Sequence, residues 1–177
     1  MAGFRALARA VAVGVLLGWG VPGAAGAAEA AAEGAQRGPV TGLPMPRYVS
    51  LKGGEGNARR GPGLTLRVDW VFRHRNMPLR VTAEFEHWRR VEDAEGQGGW
   101  MHFALLSGIR HVLVQKDMTP LHLQADARAP VVAYMEAGVV ARVQSCDRDW
   151  CRLRVDGLRG WAPKSGLWGV AATEVID

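Results

Sequence analysis

One pattern constrains this chain more than any other: a set of tryptophan motifs occurs twice, in the same order. Glu86-His87-Trp88-Arg89-Arg90-Val91 is echoed by Arg148-Asp149-Trp150-Cys151-Arg152-Leu153, and Gly99-Trp100-Met101 by Gly160-Trp161-Ala162. Leu106 and Leu167 each follow the second tryptophan of their copy by six positions. The spacing is 63 residues from Val68-Asp69-Trp70-Val71 to Val131-Val132-Ala133-Tyr134, 62 from Trp88 to Trp150, and 61 from Trp100 to Trp161. Loop-length changes produce a drift of that size, so the chain holds two copies of one unit, residues 48–109 and 110–169.

Within each copy the pattern is that of strands. Leu79-Arg80-Val81-Thr82-Ala83-Glu84-Phe85 and Cys151-Arg152-Leu153-Arg154-Val155 alternate apolar and polar residues at period two. No segment after Tyr48 carries a long helical period, which predicts an all-β protein. A unit of roughly sixty residues can enclose only a thin core. Closing its sheet hides the strand edges, so two small β-barrels in tandem are the expected architecture. Side-chain alternation assigns Val91, Met101, Leu153 and Val155 to the cores, with Cys151 on the inner face. Trp88, Trp100, Trp150 and Trp161 fall on the opposite, half-open side, flanked by Arg90 and Arg152.

The N-terminus reads as an address. Arg5 and Arg9 precede a 12-residue apolar run, residues 10–21, which leads through Pro22 into Gly23-Ala24-Ala25-Gly26-Ala27-Ala28. This is the order of a secretory signal peptide, residues 1–27, with cleavage expected after Ala27. The run is shorter than the roughly 20 residues needed to span a bilayer, so no membrane anchor is expected after cleavage. The protein is expected in the periplasm or outside the cell. Residues 28–47 are rich in Ala, Gly and Pro without a period and read as a flexible leader; residues 170–177 form a C-terminal tail. Without Arg5 and Arg9, the 22 basic and 17 acidic residues leave a net charge of +3. That is too mild for the dense basic stripe that nucleic-acid binding requires.

The repeated residues resemble the bacterial Src-homology-3 (SH3) domain family. Its pattern is Asn-x-Arg, a Gly-Pro-Gly-like turn, Trp-x-Lys/Arg-Val, Gly-Trp-Val and a late Leu. The first copy has Asn57-Ala58-Arg59, Gly61-Pro62-Gly63, Trp88-Arg89-Arg90-Val91, Gly99-Trp100-Met101 and Leu106. The second has Trp150-Cys151-Arg152-Leu153, Gly160-Trp161-Ala162 and Leu167, but Leu121-His122-Leu123 replaces Asn-x-Arg and Ala127-Arg128 replaces Pro-Gly. The arrangement is similar to exported tandem-SH3 proteins of Gram-negative alphaproteobacteria. The resemblance implies five-stranded barrels that bind cell-wall peptides or proteins.

The candidate ligand-binding residues are Trp88, Arg90, Trp100, Trp150, Arg152 and Trp161. Indole stacks on sugar rings, prolines and peptide planes, and guanidinium grips carboxylates. Two alternatives stay open: the rings cover the open barrel ends, or they are buried between the barrels. The proline-peptide groove of eukaryotic relatives is incomplete. Pro163 is kept, but Gly166 and Leu105 stand at the tyrosine position and His102 at the first copy's proline position. Trp70-Val71-Phe72-Arg73-His74-Arg75 reads as a strand with an exposed end.

Cys146 and Cys151 flank a hairpin tip, and an oxidising compartment favours a disulfide between them. Strand parity opposes it, because a simple three-residue loop pairs Cys146 with Trp150; a bulge at the tip would reconcile the two. His74, His87, His102, His111 and His122 lack ligand spacing, so neither metal nor cofactor is expected. No nucleophile motif occurs, and no catalytic residue is assigned. The reading is an exported, non-enzymatic binding protein for peptidoglycan peptide or an envelope protein. The alternative is a structural adaptor that positions a periplasmic enzyme or complex.

Overall fold

The computed structural model describes residues 36–177. The expected signal peptide and the first part of the leader lie outside the described residues. Among the described residues there are strands and short 3₁₀ turns but no α-helix, and no helix long and apolar enough to cross a membrane.

The strands of the first half are β1 (Arg47–Leu51), β2 (Gly56–Arg59), β3 (Val68–Phe72), β4 (Pro78–Phe85), β5 (Trp88–Glu92), β6 (Gly98–His102) and β7 (Leu106–Ser107). Those of the second are β8 (His111–Val114), β9 (Thr119–His122), β10 (Val131–Met135), β11 (Val140–Cys146), β12 (Trp150–Val155), β13 (Leu158–Pro163) and β14 (Leu167–Trp168). Each half forms a seven-stranded sheet. The orders are β3-β2-β6-β5-β4-β1-β7 and β10-β9-β13-β12-β11-β8-β14, one topology repeated strand for strand. All the pairings are antiparallel, so short loops suffice to connect most neighbours.

The repeat extends to the core. Leu51, Ala58, Phe72, Leu79, Val81, Val91 and Met101 fill the first barrel. Their register equivalents Val114, Leu121, Met135, Ala141, Val143, Leu153 and Ala162 fill the second. Leu121 is larger than Ala58, while Ala141 and Ala162 are smaller than Leu79 and Met101. The second core offsets only part of these losses within the set, and its buried cluster also takes in Cys146, Cys151, Leu167 and Val170. Of the expected core residues, Val91, Met101 and Leu153 are buried, and Val155 is half-buried against the core.

The glycine before each second tryptophan has a steric cause. A Cβ on Gly99 would stand 2.5 Å from the Arg59 carbonyl, and one on Gly160 2.7 Å from that of His122. At this point β6 crosses β2, and β13 crosses β9, too closely for any side chain.

Both barrels shift register by one residue in the long hairpin, between Val81 and Ala83 and between Val143 and Ser145. The bulge expected at the cysteine hairpin thus exists, but inside β11 at Gln144 rather than at the tip. It turns Cys146 to face Cys151, and the two form a disulfide. The tip is then a tight turn in which Asp147 Oδ1 accepts from the amides of Asp149 (2.9 Å) and Trp150 (2.7 Å).

Part of the leader is not the free segment its composition predicts. In residues 36–46 the amide of Gly38 donates to Leu43 and that of Met45 to Gln36. The amides of Val40 and Thr41 and the Thr41 hydroxyl all donate to the Glu84 carboxylate. A buried acceptor that needs donors orders the segment, an effect that composition does not reveal.

The two barrels meet through a connection of three residues, Gly108 to Arg110. Ser50 Oγ lies 3.0 Å from His111 Nδ1, both side chains buried, and Tyr48 meets Trp168 edge to face at 5.3 Å. Arg110 lies over the Tyr48 ring and binds Glu174 of the tail with both terminal nitrogens.

Candidate functional site

In the second barrel the alternation of β12 and β13 turns four side chains to one face. Register places Trp150 opposite Pro163 and Arg152 opposite Trp161, with His122 of β9 next in the row beyond Trp161. Trp150 and Trp161 are half-exposed and Arg152 is exposed. His122 is buried, donates from Nδ1 to Ala129 O across 2.9 Å, and meets Trp150 edge to face at 5.5 Å. The indole is therefore held from behind while its other side stays open.

That open side is one wall of a groove of 490 Å³, where Trp150, Pro163, Leu167 and Val170 supply apolar surface and Arg148 and Asp149 a polar rim. Lys164 fixes the walls. It is 8% exposed, and its ammonium donates to the carbonyls of Arg148 (3.1 Å), Ala172 (3.3 Å) and Glu174 (2.6 Å). All three donors of the ammonium are thus used. The Lys164 amide also donates to Asp149 O. Hairpin tip, 3₁₀ turn (Lys164–Gly166) and C-terminal tail are bolted together around one side chain.

In the first barrel the equivalent tryptophan is enclosed. Trp88 pairs with His102 and is 8% exposed, which corrects the expectation that it lies on a half-open side. The cause is a local aromatic cluster: the His102 ring meets Trp88 at 5.6 Å and Phe103 at 5.0 Å, and His87 meets Phe103 at 5.7 Å. Phe103 stands where the second barrel has Lys164. Arg90 and Trp100 remain on the outer face, directly opposite one another, with Arg59 beyond Trp100. The structure thus brings Trp150, Arg152 and Trp161 together in one barrel and Arg90 and Trp100 in the other, while Trp88 is packed away. None of these four tryptophans makes the aromatic contact across the junction; Tyr48 and Trp168 do.

A family comparison decides what these barrels are. The model of the bacterial SH3 domain matches twice, over residues 52–108 and 115–169. The chain belongs to the bacterial SH3 domain family. No curated protein matches it. Among solved structures, NlpC2 and NlpC1 from Trichomonas vaginalis align at 12% identity, each with a TM-score of 0.33. The alignments cover 70% and 74% of this chain and 48% of each of those chains, so the chain spans about half their length. A likeness that low carries no argument about activity.

Each SH3 barrel also carries a cross-link at one equivalent position of its long hairpin. In the second it is Cys146–Cys151. In the first it is ionic: Glu84 pairs with Arg89 at 3.5 Å, the same two register positions, and with Arg47 at 2.6 Å. Burial raises the Glu84 carboxyl pKa, but the hydroxyl and amide of Thr41, Arg47 and the Val40 amide outweigh it and lower the pKa to about 2. Sequence reasoning missed Glu84, Arg89 and Lys164 as organisers. The signal was present for the first two: Glu84 and Arg89 are five residues apart, as the cysteines are. Among the described residues no group of His, Cys, Asp and Glu could hold a metal ion.

Proposed function

We propose that this tandem bacterial SH3 protein is an exported, non-enzymatic binding protein whose second barrel grips a peptide of the cell wall. The carrying observation is the groove at Trp150, Pro163 and Leu167. It is apolar in its walls, rigidly braced by Lys164, and open at Trp150 where the first barrel buries the equivalent Trp88 against His102. An indole held at a groove wall with an arginine two residues on suits a short peptide with a carboxylate: the ring takes an amide plane or apolar stem and Arg148 or Arg152 the charge. The signal-like N-terminus supports the periplasm or the exterior as the place of action.

The test is co-sedimentation with purified sacculi. Wild type is expected to pellet, and Trp150→Ala to lose most of that binding, on the order of tenfold or more for a central aromatic anchor. Failure of the folded wild type to pellet would remove the cell-wall reading. A second reading, an adaptor for an envelope protein, is favoured by the edge strand β10, where Val131, Val132 and Tyr134 are all exposed. It requires an envelope protein to be captured by wild type and lost with Val132→Asp/Tyr134→Asp.

A further inference from the structure

One cross-strand row differs in charge between the two barrels. In the first it runs Tyr48–Arg80–Glu92–Gly98 across β1, β4, β5 and β6. Arg80 and Glu92 form an ion pair there, so the row is neutralised from within. In the second the same row runs His111–Arg142–Arg154–Arg159 across β8, β11, β12 and β13. Residues directly opposite in adjacent strands share a face, and like charges so placed repel. Among the described residues no carboxylate lies within ion-pair distance of Arg142, Arg154 or Arg159.

The row also borders a concavity. A groove of 340 Å³ lies at the junction of the barrels, lined by Arg142 and Arg154 from the second barrel and Arg75 and Asn76 from the first. Ile109, Val140 and Val155 give it apolar walls, and Asp156 is its one acidic residue. Buried His111 also lines it; burial lowers its pKa most, Arg142 adds to the lowering, and a backbone bond to Ile109 opposes both. Three exposed guanidinium groups against one carboxylate, in a volume suited to a small molecule, offer several charged donors to an oxyanion from outside the chain.

We propose that the junction groove is a binding site for a small oxyanion, phosphate or carboxylate, held by Arg142 and Arg154 with Arg75 closing from the other barrel. Phosphate esters and peptide carboxylates share that chemistry. The site is separate from the Trp150 groove and stands or falls without it. The register comparison supplies the control: Arg154→Glu places an acid opposite Arg142, copying the Arg80–Glu92 arrangement of the first barrel.

The experiment is calorimetric melting of the full chain in 5 mM phosphate, 5 mM succinate or chloride of matched ionic strength. Wild type should melt about 2–4 °C higher with at least one oxyanion than with chloride. A response to phosphate alone assigns a phosphorylated ligand, and one to succinate alone a dicarboxylate; either supports the site. Arg154→Glu should abolish the increment while melting no lower than wild type in chloride. A wild type that melts equally in all three salts overturns the proposal, and so does an Arg154→Glu protein that keeps the full increment.

Discussion

The two barrels close the same hairpin with different chemistry. At register positions where the second has Cys146 and Cys151, the first has Glu84 and Arg89. Each cross-link is then overlaid by a segment that flanks the barrels. Residues 40 and 41 of the leader donate to Glu84, and Ile176 of the tail exchanges both backbone hydrogen bonds with Cys146. Even the arginine that opens each barrel is reused, Arg47 binding Glu84 and Arg110 binding Glu174. The position must be closed because a small barrel has little core to spare, but covalent and ionic closure fail under different stresses.

The largest effect should follow from breaking the ionic version. Glu84→Ala leaves Arg47 and Arg89 facing a site with no countercharge and releases three donors of the leader. Removing one partner of a buried pair costs about 3–5 kcal/mol. Urea unfolding should report a loss of that size. A loss below about 1 kcal/mol, the level of a surface pair, would show the cluster to be solvated.

Trp88 and Trp150 sharpen the same contrast. Trp88 is buried against His102 and the hairpin, so Trp88→Ala should cost about 3–4 kcal/mol. Trp150 has one face open to the groove, so Trp150→Ala should cost clearly less stability while losing ligand. Equal destabilisation by the two would contradict the difference in burial.

These contrasts show where sequence legibility stops. The repeat, the strand parity and most of the core were readable, because period-two alternation and motif spacing are local. The disulfide was readable from compartment and spacing, although parity misplaced its bulge by counting from the tip. The grouping of Trp150, Arg152 and Trp161 on one face was also readable. The burial of Trp88 was not, since it depends on the His102 ring set opposite it on β6, where the second barrel has Pro163. The ordering of residues 36–46 was hidden because it answers the needs of Glu84, 43 positions away from Thr41. The arginine row was hidden because it needs the pairing of four strands, not the order of any one.

Acid should separate the barrels next. The Glu84 carboxyl is lowered from 4.5 to about 2, so its folded-state advantage is complete above the unfolded value. It is lost as pH falls from 4.5 toward 2, roughly 3 kcal/mol in all. His111 acts earlier and in the same direction. Its folded pKa lies below 6.5, so the unfolded chain takes up the proton first and stability declines as pH drops below 6.5. Unfolding free energy against pH should therefore show a shallow decline below 6.5 and a steeper one below 4.5. With Glu84→Gln the steeper step should shrink to the smaller part supplied by Asp69 and Glu174, whose carboxyls are also lowered, and the shallower should remain. A steep step that survives this substitution undiminished would assign it to other carboxylates.

Reduction probes the covalent closure alone. A disulfide across so short a loop stabilises by about 2 kcal/mol in the chain-entropy model, less than the buried ionic cluster. The bond constrains only the unfolded second barrel, so its loss should be felt locally. Dithiothreitol, or Cys146→Ala/Cys151→Ala, should speed hydrogen exchange at the amides of Cys146 and Ile176, which pair with each other beside the bond. The amides of Val40 and Thr41, which donate to Glu84, should keep their protection. Equal acceleration at both places would mean that the barrels unfold as one cooperative unit through the Ser50–His111 and Tyr48–Trp168 contacts. The two closures would then be redundant supports of a single structure rather than independent locks on two.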